Sequence, residues 1–263
     1  MREACAVLAA MLASLGAARA SAGETRCWVE NGAVVVPAVL GDISGDFILD
    51  LSAPVSQLHN TAAELDGIDD AVPAKSAPFT LAGETAPATF QVADLDARSW
   101  DFPTTIDGVI GWDVLSAYVV RLQFSPCRLT LADRPGGPPP GTALPLAIVG
   151  GAPSIAVSVS DGRTAMAGRM AIDTASAGVR LSDGVAALGR PAPKGLDVTS
   201  RSAPPARIDA LAFGQTVLRR TPASLQPQTP PGLIGSLGLL AWTPYALTIN
   251  ARRGVVELSA PMP

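Results

Sequence analysis

The chain has 263 residues, long for one domain and short for three, so two lobes of about a hundred residues each are the natural expectation. Apolar residues make up 48% and charged residues 16%, and 25 Gly, 24 Pro and recurrent Val, Ile and Thr favour short strands and turns over long helices. A net charge of −4 without any Lys/Arg run excludes nucleic acid and an anionic membrane surface as electrostatic partners.

Residues 1–22 read as an export signal, with Arg2 as the early positive charge, an apolar stretch from Ala4 to Ala18 and a small-residue cleavage site at Ala20-Ser21-Ala22. That stretch is short for a membrane span and no later segment is longer, so the mature protein is expected to be soluble, without a span, in the periplasm or outside the cell. Cleavage removes Cys5 and leaves Cys27 and Cys127, a pair expected to form a disulfide, with two buried thiols as the alternative.

Strands are predicted at 33–40, 45–50, 79–81 and 89–93, with short helices at 61–65 and 111–118 and a hairpin over 119–131. The run from Asp133 to Gly141 clusters Pro and Gly, which remove backbone donors and stop any strand or helix. It divides a first lobe, 23–133, from a linker, 134–144, and a second lobe, 145–263. Beyond it, strands are predicted at 154–159, 165–173, 208–213 and 217–218, with a closing hairpin over 245–258.

The two halves repeat one another. Phe47-Ile48-Leu49-Asp50 is followed by a turn of small residues and Val55-Ser56-Gln57-Leu58, while Met170-Ala171-Ile172-Asp173 is followed by Thr174-Ala175-Ser176-Ala177-Gly178 and Val179-Arg180-Leu181. Further on, Asp107-Gly108-Val109-Ile110-Gly111 matches Pro231-Gly232-Leu233-Ile234-Gly235. Gly111 follows Asp50 by 61 positions and Gly235 follows Asp173 by 62. Gly111 and Gly235 are therefore expected beneath the aspartate loops, where a Cβ would press into the loop above.

Each half resembles one unit of the retropepsin-like and pepsin-like aspartic peptidases, in which an apolar strand ends in Asp-Thr/Ser-Gly-Ala/Ser and two apolar residues plus Gly follow some sixty positions later. The likeness is to an exported, bacterial-type homologue with two fused units. It implies an all-β, bilobal fold in which Asp50 and Asp173 face a shared cleft. It also implies an aspartic endopeptidase, acting as a monomer without cofactor or metal on a peptide or unfolded protein segment. Two nearby carboxylates cannot both ionise cheaply, so one serves as general base on a water while its protonated partner polarises the scissile carbonyl.

The supporting loops depart from the family pattern. Thr174 keeps the hydroxyl that bonds across the lobes, but Leu51 has none. Ser52 and Ala175 stand where the family has Gly, and Ser176 keeps the small fourth position. The competing reading is accordingly an inactive peptide- or protein-binding module with the same fold. A flap is expected in 194–205 rather than in the shorter 68–76 segment. His59, the only histidine, falls opposite Ser182 and is expected at the surface. Two cysteines and one histidine make no metal site. Trp112, Trp242 and Tyr245 are expected as core aromatics.

Overall fold

The computed structural model describes residues 22–69, 72–133, 141–182, 185, 190–191, 205–226 and 229–260. Strands dominate, as expected of an all-β chain. The first half contains β1 (Ala22–Arg26), β2 (Trp28–Glu30), β3 (Ala33–Leu40), β4 (Ile43–Leu49), β5 (Gln57–His59), β6 (Ala74–Leu81), β7 (Glu84–Ala93), β8 (Gly108–Ile110), β9 (Val119–Phe124) and β10 (Cys127–Ala132). The second contains β11 (Gly141–Val149), β12 (Ala152–Ser160), β13 (Ala165–Ile172), β14 (Val179–Ser182), β15 (Arg190–Pro191), β16 (Pro205–Phe213), β17 (Thr216–Gln226), β18 (Gly235–Leu237), β19 (Ala246–Asn250) and β20 (Val255–Ser259). Short α-helices lie between them: α1 (Asn60–Leu65), α2 (Asp96–Ser99), α3 (Trp112–Leu115) and α4 (Leu239–Trp242).

The repeat seen in sequence is a repeat of topology. β4 pairs in parallel with β8, and β13 with β18. β5 runs parallel to β7, and β14 to β17. Each half closes on itself, through β3 with β6 and through β12 with β16. The antiparallel run β1-β10-β9-β19-β20-β11 joins the halves, with Leu122 of β9 opposite Leu247 of β19. This bilobal all-β arrangement places the ends of β4 and β13 in equivalent positions. Strand β11 begins at Gly141 and pairs there with Ser259, so regular structure starts inside the stretch read as linker. Residues 1–21, 134–140 and 192–204 lie outside the described residues, and with them the export signal up to Ser21, most of the linker and all but Pro205 of the 194–205 flap segment.

Alternation builds the core. Along β3, Val34, Val36, Ala38 and Leu40 join Phe47, Leu49, Leu51 and Leu58 in one apolar cluster, and the rings of Phe47, Phe79 and Phe90 pack within it at centroid distances of 5.0–6.1 Å. The residues between them turn the other way. Val35 and Ile48 meet Ala33, Leu95, Ile106 and Val109 in a second cluster on the far face of the strands, as period-2 geometry requires. Trp112 and Trp242 are buried, while Tyr245 is half-buried with its hydroxyl 2.9 Å from Thr216 Oγ1.

Cys27 and Cys127 form a disulfide with Cα atoms 4.9 Å apart, tying the start of the first half to its last hairpin. Among the described residues, no helix is long and apolar enough to cross a membrane, and no group of three His, Cys, Asp or Glu could hold a metal ion.

Candidate active site

Asp50 and Asp173 each follow the last residue of an apolar strand, and each backbone N–H donates to a carbonyl of the neighbouring parallel strand: Asp50 to Ile110 and Asp173 to Leu237, both at 2.9 Å. The pairing carries both carboxylates into the interior, where Asp50 is 4% and Asp173 2% exposed. Buried carboxylates must be hydrogen-bonded, and the turn that follows each strand supplies the donors.

Asp50 Oδ1 accepts from Ser52 N–H at 2.8 Å, Ser52 Oγ at 2.6 Å and Ala53 N–H at 3.2 Å. Asp173 Oδ1 accepts from Ala175 N–H at 2.9 Å, while its Oδ2 accepts from Ser176 Oγ at 2.6 Å and Ser236 Oγ at 3.0 Å. Ser52 and Ala175 thus perform the backbone task that the family pattern gives to glycine. Neither has a positive φ, so a Cβ is tolerated there.

Thr174 links the halves. Its Oγ1 donates to Leu49 O at 2.6 Å and accepts from Leu51 N–H at 3.1 Å, and its own carbonyl accepts from Val34 N–H at 2.8 Å. The lack of a hydroxyl on Leu51 therefore does not leave Thr174 in want of a partner. The leucine side chain instead lies fully buried in the main apolar cluster.

The glycines require a correction. Gly111 does lie against the first loop: a Cβ there would stand 2.7 Å from Val55 C and 2.9 Å from Ala53 O. Gly235 does not occupy the equivalent place. It sits at φ +152° beneath β14, with a would-be Cβ 2.0 Å from Arg180 O. The residue under the second loop is Gly238, whose Cβ would fall 2.2 Å from Gly178 O and 2.5 Å from Ser176 O. Register agrees, since Leu49 pairs with Ile110 and Ile172 with Leu237, and the next residues, Gly111 and Gly238, precede α3 and α4. The true match aligns Gly108-Val109-Ile110-Gly111 with Gly235-Ser236-Leu237-Gly238.

Two side chains at this site could not be foreseen from the sequence. Arg98, in α2, places Nη2 on Asp50 Oδ2 as an ion pair. It is the only basic residue between Lys75 and Arg121, but nothing in its spacing points to Asp50. His59, expected at the surface, is buried: its Nδ1 accepts from Thr61 N–H at the start of α1, and its Nε2 lies 3.2 Å from Asp96 Oδ1, in the same short helix as Arg98.

The two carboxyls are driven in opposite directions. Burial would raise Asp50, but the Arg98 charge and the hydrogen bonds from Ser52 and Arg98 outweigh it and hold the group below the ordinary carboxylate range. Burial and the negative charge of Asp50 raise Asp173, against the weaker pull of Arg180 and the bonds from Ser176 and Ala175. Between the two shifts lies a range of pH in which Asp50 is ionised and Asp173 protonated.

No family model and no curated protein sequence matches the chain. Solved structures do. One is the crystal structure of aspartic proteinase from Irpex lacteus, matched with a TM-score of 0.55 at 11% identity over 92% of this chain and 98% of that one. The fold is that of an aspartic proteinase. Near-complete coverage of both chains means that both lobes of that fold are present here, and at so low an identity the likeness rests on topology rather than on shared side chains.

Proposed function

We propose that the protein is an aspartic endopeptidase that hydrolyses peptide bonds in extended segments, with Asp50 and Asp173 as its catalytic pair. The observation that carries this reading is the placement of two buried carboxyls at equivalent strand ends, near enough for the charge of Asp50 to raise Asp173, so that one is ionised while the other keeps its proton, as the reaction needs. Asp50, ionised, takes a proton from a water as the water oxygen attacks the scissile carbonyl carbon. Asp173, protonated, gives its hydrogen bond and then its proton to the carbonyl oxygen, forming a neutral tetrahedral diol. When the C–N bond breaks, the proton on Asp50 passes to the leaving nitrogen, and a diol hydroxyl returns its proton to Asp173.

Leu51, Ser52, Thr174, Ala175 and Ser176 serve this chemistry by fixing the loops, and Gly111 and Gly238 by letting the following strand-to-helix turns approach them. No cofactor takes part, and a monomer suffices because one chain supplies both aspartates. The Cys27–Cys127 disulfide supports a location outside the cytoplasm, in the periplasm or beyond the cell.

A second reading has its own observation. Arg98 covers the oxygen of Asp50 that faces away from the Ser52 turn, as would suit a module that holds peptides without cutting them. Cleavage of a broad peptide library between pH 3 and 7 decides between the two. The peptidase reading expects cleavage that either Asp50→Asn or Asp173→Asn abolishes, because the dyad works as a unit. Binding without cleavage leaves the module.

A further inference from the structure

The ion pair between Arg98 and Asp50 joins a partly exposed cation to a nearly buried carboxylate: the Arg98 side chain is 34% exposed and that of Asp50 6%. The guanidinium is positioned by its backbone. Asp94 Oδ1 accepts from Asp96 N–H at 2.9 Å, Asp96 meets buried His59, and Leu95 is packed in the second apolar cluster. Downstream, Thr104 donates from N–H and Oγ1 to Glu30, and Asn31 Nδ2 donates to Asp101 O. The segment from Asp94 to Thr104 is therefore pinned on both sides of Arg98.

Any peptide that brings its scissile carbonyl to Asp50 must take Arg98 off the outer oxygen. Asp50 then has the attacking water as partner, whereas Arg98 gives up the carboxylate with which it pairs. A charge stripped of its partner at the edge of a buried site is costly, and a carboxylate presents the bidentate match a guanidinium prefers.

We propose that Arg98 is a specificity-determining residue that selects peptide segments carrying a carboxylate beside the scissile bond, exchanging Asp50 for that carboxylate as the segment binds. This rests on the peptidase reading for its meaning but not for its test. Neutral segments leave Arg98 on Asp50 and compete poorly.

The test uses the mature chain carrying Asp173→Asn to prevent turnover, with and without Arg98→Gln, and peptides in Glu and Gln twins titrated by calorimetry. Glu members should bind roughly tenfold tighter than their Gln twins, and Arg98→Gln should erase the difference. Arg98→Lys, which keeps the charge without the fork, should retain part of it and covers the case in which the glutamine variant does not fold. Carboxyl-carbon NMR should show the Asp50 midpoint rising in Arg98→Gln, since the cation that favours its ionised form is gone. Equal discrimination with and without Arg98, no binding of any peptide, or an unmoved Asp50 midpoint overturns the assignment. If discrimination depends on Arg98 yet the parent chain cleaves nothing, the peptidase reading falls and the Arg98 assignment stands. If the parent chain cleaves peptides with a preference that Arg98→Gln leaves unchanged, the Arg98 assignment falls and the peptidase reading stands.

Discussion

Replacing Thr174 by Val keeps the shape of the side chain and deletes its hydroxyl. In the parent that hydroxyl is fully buried and makes two bonds across the halves, to Leu49 O at 2.6 Å and from Leu51 N–H at 3.1 Å. The variant withdraws a partner from each backbone group, and water cannot reach them to compensate. At about 1–3 kcal/mol for each buried group so deprived, Thr174→Val should cost roughly 2–6 kcal/mol of unfolding free energy. Thr174→Ser is the control: it keeps both bonds and gives up one methyl group, for about 1 kcal/mol. Urea unfolding followed by tryptophan fluorescence measures both variants at constant pH. The valine variant should be the weaker by a margin well outside the extrapolation error. Equal stabilities, or a serine variant weaker than the valine one, would refute the view that this hydroxyl holds the halves together.

Stability should also depend on pH from both sides. Asp50, with its folded value lowered, contributes stability that is present above its unfolded value and lost as pH falls through the folded one; Asp173 and Asp46, both raised, favour the folded state at low pH and lose that advantage as pH rises through their folded values. The melting temperature should therefore peak in the mildly acidic range, and Asp173→Asn should flatten the decline on the alkaline side; a melting temperature that climbs steadily from pH 4 to 7 in the parent speaks against it. Gly111→Ala and Gly238→Ala should each cost at least about 1–3 kcal/mol, because the new Cβ meets backbone that cannot swing aside, and a thermal melt of each variant checks this. Breaking the Cys27–Cys127 bond, which spans a sequence separation of 100, should cost roughly 2–5 kcal/mol, measurable by urea unfolding of a double-serine variant.

The placement of the two aspartates was legible in the sequence because it depends on local chemistry. An apolar run of period two makes Phe47-Ile48-Leu49 and Met170-Ala171-Ile172 strands, and an acidic residue at the end of such a run, followed by small residues, must sit in a turn rich in N–H donors. The duplication, the hairpins that close each half and the even pair of cysteines were readable for the same reason. What failed in the second half was register. Pro231-Gly232-Leu233-Ile234-Gly235 and Gly235-Ser236-Leu237-Gly238 offer two similar glycine-bracketed runs three residues apart, and only pairing of Ile172 with Leu237 selects the latter. With it come Ser236 as a partner of Asp173 and Gly238 as the residue beneath the loop. Arg98 and His59 were decided by tertiary structure alone. Arg98 meets Asp50 across 48 positions of chain, and His59, at the end of β5, meets Asp96 in α2. No periodicity encodes such contacts; they exist because the segment after β7 is folded back over the Asp50 turn, with Leu95 buried beneath it.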